Sequence, residues 1–151
     1  MGAITDRLHK DSVMIDPRIL SKNDLLARMA DLLASQYLIE QPEQLLRDIM
    51  KREELGTTCL GFGCAVPHAR TDAVDTTVMA AARLNPPMDL GAEDGEPVSL
   101  VFLMAGPMRS GSLHLKILSK LARLLHESSF RKELLEAETQ KDFLDAIARR
   151  E

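Results

Sequence analysis

A chain of 151 residues, 45% of them apolar, is long enough to close one sizeable core and too apolar to be disordered. Aromatic residues are only 3% and Trp is absent, so that core must be aliphatic, with methionines filling gaps. A formal charge of −4 argues against a nucleic-acid binder, whose footprint is basic, and the longest apolar stretch, 98-VSLVFLMAGPM-108, falls short of the ~20 residues needed to cross a bilayer.

The N-terminal segment MGAITDRLHKDS has no apolar core of signal-peptide length. Cys59 and Cys64 therefore read as reduced thiols of a cytoplasmic protein, not as a disulfide framework. A short strand is expected at Ser12–Ile15. Ser21 to Asp24 has the form of a capping box and opens a helix whose Leu25, Leu26, Met29, Leu32 and Leu33 recur at helical spacing. Pro42 suits the first turn of a second helix, which runs to about Glu54 and stops before Gly56. Cys64–Pro67 reads as a short strand broken by its proline, and Thr77–Leu84 as another. The turn-rich segment 85–97 leads to Val98–Met104, apolar nearly throughout, as expected of a central strand buried on both faces. After a loop at 106–112, helices are expected at Ser112–His126, Phe130–Glu138 and Gln140–Arg149, the last capped by Thr139. The alternation predicts an α/β fold: a mixed central sheet flanked by helices on both faces, in a single domain.

Three side chains stand out. His68 follows Pro67 where the strand is expected to end, behind a loop whose Gly61 and Gly63 permit unusual backbone conformations; ligands of open α/β sheets collect at strand ends. His114 falls in the first turn of its helix, aligned with Ile117, Leu118, Leu121 and Leu125, so it should face inward at a rim. Arg52 lies near the C-terminus of the second helix, in 51-KREELGTT-58. Each alone is an ordinary feature. Together they suit covalent binding of a phosphoryl group: neutral imidazole is nucleophilic, guanidinium matches phosphate oxygens, and a helix N-terminus supplies N–H donors.

The run 52-REELGTTCLGFGCAVPHARTDAV-74 resembles the active-site region of enzyme IIA domains of the bacterial phosphotransferase system, in the fructose/mannitol and nitrogen-regulatory class. The stretches 94-DGEPVSLVFLMAGP-107, 113-LHLKILSKLARLL-125 and 21-SKNDLLARMADLL-33 resemble that family's central strand, following helix and first helix, so the likeness covers nearly the whole chain. It implies that His68 accepts phosphate on Nε2 from the histidine-containing phosphocarrier protein, that Arg52 neutralises phosphoryl charge, and that His114 orients His68 or the phosphate. It also implies an onward acceptor, either a permease IIB component or a regulatory target. No metal or cofactor enters this scheme. One position departs from the family, which often has Asn between the two loop glycines where this chain has Phe62. That residue could pack over the site, face a partner or tuck into the core.

Two other readings compete. One is a regulatory binding module acting through protein partners. The other is a small zinc domain using Cys59, Cys64 and His68, although C-x4-C-x3-H matches no standard spacing. His9 and His126 read as structural residues, His126 because a cation suits a helix C-terminus.

Overall fold

The computed structural model describes residues 2–151. A 3-10 turn (Lys10–Ser12) leads into β1 (Val13–Ile15), followed by α1 (Lys22–Gln36) and α2 (Pro42–Glu54). Then come β2 (Cys59–Gly61), β3 (Cys64–Ala65), β4 (His68–Arg70), β5 (Val78–Met88) and β6 (Val98–Gly106), and three helices close the chain: α3 (Gly111–His126), α4 (Ser128–Glu136) and α5 (Gln140–Ala148). The strands form one mixed sheet in the order β1-β5-β6-β3-β2, with β4 also paired to β6. β1 runs parallel to β5, β3 and β4 run parallel to β6, and the β5–β6 and β2–β3 pairs are antiparallel.

β6 is the central strand, and every residue of it except Ser99 is buried. Alternate side chains of a strand go to opposite faces, and both faces here meet apolar partners. Leu100, Phe102 and Met104, with Met79 and Ala81 of β5, pack against Ile117, Leu121 and Leu125 of α3 and the apolar faces of α4 and α5. Val101, Leu103 and Ala105, with Ala80 and Ala82, pack against Leu25, Met29 and Leu33 of α1 and Leu45 and Ile49 of α2. The small alanines of β5 let helices approach both sides of the sheet. Helices on both faces of a mixed sheet are the architecture the alternation predicted.

The helix caps follow the sequence. Ser21 Oγ accepts from the Asp24 N–H at 3.0 Å, and the Asp24 carboxylate reaches back to the Leu20 N–H at 2.9 Å. Thr139 Oγ1 accepts from the Asp142 N–H at 3.0 Å. β5 runs past the expected Leu84 to Met88. Its prolines fall where the ladder with β6 shifts register, between Arg83 and Met88, so no regular pairing requires their absent N–H groups. Both cysteines are free. Among the described residues no helix is long and apolar enough to cross a membrane.

Candidate phosphoryl site at the end of an interrupted strand

The strand expected to end at Pro67 is interrupted there instead. Cys64 and Ala65 pair with Leu100 and Val101; after two residues, His68, Ala69 and Arg70 pair with Met104, Ala105 and Gly106 in unchanged register. The Pro67 carbonyl still accepts from the Met104 N–H at 3.0 Å, while the Val66 N–H turns outward to the Thr58 carbonyl, also at 3.0 Å. Proline has no N–H to give the ladder, yet its carbonyl and fixed φ keep the chain in line. His68 is thus the first residue of a short strand, not the last of one. The pleat then puts His68 and Arg70 on the face covered by α3 and sends Ala69 into the opposite core.

His68 is half-buried, and its Nδ1 lies 2.7 Å from the Val66 carbonyl oxygen. A carbonyl can only accept, so in the neutral ring Nδ1 carries the proton and Nε2 keeps a free lone pair. The rings of His68 and His114 have centroids 5.6 Å apart and are tilted by 58°. His114 is only 6% exposed, more deeply set than a rim residue, and neither of its ring nitrogens has a hydrogen-bond partner among the described residues. Burial, with smaller contributions from the nearby His68 and Arg70 charges, pulls its pKa down to about 4. His114 is therefore a neutral imidazole at physiological pH, with one N–H to donate.

His68, His114, Arg52 and Arg70 line one cleft of about 770 Å³ between the end of α2, β4 and the start of α3. Arg52 donates to the Gly56 carbonyl at 3.5 Å, just past the end of its helix. One turn earlier on the same helix face, Asp48 accepts from Thr71 Oγ1 at 2.6 Å and from Gln44 Nε2 at 2.9 Å. The Asp48–Thr71 bond ties α2 to the chain just beyond β4 and so holds Arg52 beside His68. Arg70, which the sequence reading passed over, reaches the start of α3. Its Nη1 donates to the Met108 carbonyl at 3.4 Å and occupies the place where a side chain on Gly111 would begin, 2.6 Å from such a Cβ. The available signal was the two-residue spacing from His68, hidden by the assumption that the strand stopped at Pro67. Around the mouth stand exposed apolar residues: Leu55 (81%), Met108 (52%) and Leu115 (65%).

The glycine loop lies elsewhere. Gly61 pairs with Cys64, leaving Phe62 and Gly63 as a two-residue hairpin turn with φ of 56° and 75°. Positive φ at both central positions is the type I′ signature. This turn sits at the opposite end of the interrupted strand from His68. Phe62 does not cover the cleft: its ring meets His126 edge-on at 5.2 Å and carries the Arg131 guanidinium 4.7 Å above it. The zinc reading fails on the same geometry. Cys64 and His68 are four positions apart along one extended line, about 13 Å, too far to share an ion. Among the described residues no group of three or more His, Cys, Asp or Glu could hold a metal. His9 packs on Tyr37, with ring centroids 5.1 Å apart.

Fold and cleft together describe a class: a mixed sheet carrying two close histidines and two arginines at the end of a central parallel strand pair, with no carboxylate bonded to those arginines among the described residues. The profile of the family described as "Phosphoenolpyruvate-dependent sugar phosphotransferase system, EIIA 2" matches residues 7–150, and the chain belongs to that family. The chain is 36% identical to a nitrogen regulatory protein of Bradyrhizobium diazoefficiens over 131 residues, covering 87% of this chain and 85% of that one. It is 35% identical to the fructose-specific EIIA component of Haloferax volcanii, covering 85% and 83%. It is also 34% identical to the 2-O-alpha-mannosyl-D-glycerate-specific EIIABC component of Escherichia coli, of which it spans only 23%. Among solved structures, the nitrogen regulatory protein IIA-Ntr of Neisseria meningitidis superposes with a TM-score of 0.90 at 29% identity, covering 97% of this chain and 99% of that one. The fold is shared as well by Escherichia coli enzyme IIA for mannitol, solved in complex with phosphorylated enzyme IIB, at a TM-score of 0.80 and 20% identity.

Proposed function

We propose that this protein is a phosphohistidine carrier: His68 accepts a phosphoryl group from the histidine-containing phosphocarrier protein and hands it to an acceptor that docks on the same cleft. The observation that carries the reading is the Nδ1 contact to the Val66 carbonyl, which leaves the Nε2 lone pair of His68 as the nucleophile among two guanidinium groups and a neutral imidazole. In the transfer, Nε2 forms an N–P bond as the N–P bond of the donor phosphohistidine breaks. The electron pair of that bond returns to the donor ring, and His68 keeps its Nδ1 proton on Val66. The transition state is loose and its charge spreads over three equatorial oxygens, so catalysis is positioning and charge stabilisation. Arg52 and Arg70 supply the positive charge and His114 a hydrogen bond. The exposed Leu55, Met108 and Leu115 give a partner an apolar seat around the histidine.

The test is incubation with labelled phosphoenolpyruvate, enzyme I and the phosphocarrier. Wild type takes up label, His68→Ala does not, and Arg52→Ala retains the acceptor but loads it roughly 10–100-fold more slowly. Undiminished labelling of His68→Ala would refute the assignment. Two outputs fit the same chemistry, since relatives carry both sugar-specific and nitrogen-regulatory names. Pull-downs with wild type and His68→Glu separate them: a IIB permease component among the partners marks transport, whereas capture of kinases or potassium transporters marks regulation.

A further inference from the structure

Two buried polar groups without partners sit side by side at the back of the cleft. Thr77 is 5% exposed and His114 6%, and Thr77 Oγ1 and both ring nitrogens of His114 lack hydrogen bonds among the described residues. Buried polar groups left unpaired are costly and therefore rare. The same two residues crowd one backbone position, Gly106, on β6. A Cβ there would stand 2.9 Å from His114 Nδ1 and 3.1 Å from Thr77 Oγ1. The two atoms are thus no more than about 6 Å apart, the sum of those distances, which a small side-chain rotation or one bridging water spans. Glycine at 106 keeps the space between them open. Thr77 immediately precedes β5, and its side chain falls on the sheet face of Met79, toward α3.

We propose that Thr77 is a positioning residue for His114: its hydroxyl donates to Nδ1, directly or through one water, and holds the ring as the Nε2–H tautomer facing His68. The inference rests on the carrier reading of His68. A neutral imidazole has one donor and one acceptor nitrogen. With Nδ1 turned to Gly106 and Thr77, Nε2 is the nitrogen left for the cleft. As an N–H it donates to a phosphoryl oxygen; as a lone pair it would repel one. Arg70, which also lies near His114, has no acceptor to offer. This assignment accounts for both unpartnered nitrogens, because the acceptor for Nε2–H arrives only with the phosphoryl group.

The experiment is 15N NMR of the histidine rings in the unphosphorylated protein, together with single-turnover phosphoryl transfer, for wild type, Thr77→Val and Thr77→Ser. In wild type His114 is expected as the Nε2–H tautomer with Nδ1 hydrogen-bonded. Thr77→Val, of the same shape but without the hydroxyl, mixes the tautomers and slows transfer roughly 10-fold at saturating donor. Thr77→Ser restores both. A wild-type His114 carrying its proton on Nδ1 overturns the proposal without recourse to any variant, as does a folded Thr77→Val with unchanged tautomer and rate. The tautomer is read without phosphate, so it stands or falls separately from labelling of His68, whose failure would overturn the carrier reading instead.

Discussion

Arg70 shows how much a single register decides. Two residues beyond His68 on a strand, its side chain shares the histidine's face, and Gly111 leaves room for the guanidinium at the start of α3. In the proposed transfer, charge develops at that spot, and a guanidinium there has the geometry to meet phosphoryl oxygens. Arg70→Ala should leave His68 able to be phosphorylated while slowing loading several-fold, roughly 10-fold or more. Arg70→Lys should recover part of the rate, since it restores charge without the planar fork. Stopped-flow or quenched transfer from the phosphocarrier measures both, and a wild-type rate for Arg70→Ala would remove Arg70 from the site. His68, His114 and Arg52 were legible from sequence because each has a local signature: a Pro-His at a strand break, an imidazole on an apolar helical stripe, a cation at a helix end. Arg70 and Thr77 were not. Their place at the cleft comes from what β6 and α3 bring beside them, and neither neighbour is near in the chain.

The hairpin turn is the element with the clearest conflict between local preference and observed conformation. Type I′ turns favour Asn-Gly, because Asn tolerates positive φ where most side chains pay about 1–2 kcal/mol. An Asn at this position would suit that conformation. Here Phe62 holds φ of 56°, with its N–H bonded to Asp94 at 3.1 Å and its ring under Arg131. Arg131 also donates to the Leu125 and His126 carbonyls at 2.8 and 2.9 Å, closing the end of α3. Phe62→Asn relieves the backbone and loses the cation–π contact, worth about 0.5–1 kcal/mol, so stability should change by no more than about 1 kcal/mol. The pair is the better test. In a double-mutant cycle by urea denaturation, Phe62→Asn and Arg131→Ala should couple by ~0.5–1 kcal/mol, and simple additivity would mean the stacking contributes nothing. Phe62→Asn should also transfer phosphate at the wild-type rate. Its neighbour His126 is twelve residues along α3 from His114, about 18 Å. From sequence, packing over the site was one of three readings of Phe62, suggested by its closeness to His68 in the chain; the intervening extended strand carries it to the opposite end of the sheet.

Across the whole molecule, acid stability reports how the site is buried. The helices on both faces of the sheet, and the long apolar strand between them, were readable because apolar periodicity is a local property. Which polar groups the packing would seal in was not, since that depends on contacts between distant elements. Two such groups both lose stability as pH falls, in different windows. Glu151 sits in a largely buried position against the first turn of the chain, accepting from the Ile4 and Thr5 N–H groups and pairing with Lys120 at 2.9 Å. Burial raises its pKa, but the Lys120 bond and those N–H groups outweigh it, and the net shift is downward. Its contribution is thus present above the ordinary carboxylate range and is lost only as pH falls through that range. His114 acts in an earlier window. Its folded pKa of about 4 lies below the 6.5 of a free histidine, so between those values the unfolded chain binds a proton that the native state refuses. Stability therefore falls as pH drops from 6.5 toward 4, by on the order of 2–3 kcal/mol, and changes no further from this group below 4. Urea midpoints from pH 7 to 4 should show this slope in wild type and a flatter one in His114→Gln, which has nothing to titrate. Equal slopes would mean that the native state binds a proton at position 114 as readily as the unfolded chain does, and that the ring is not held from protonation by its burial.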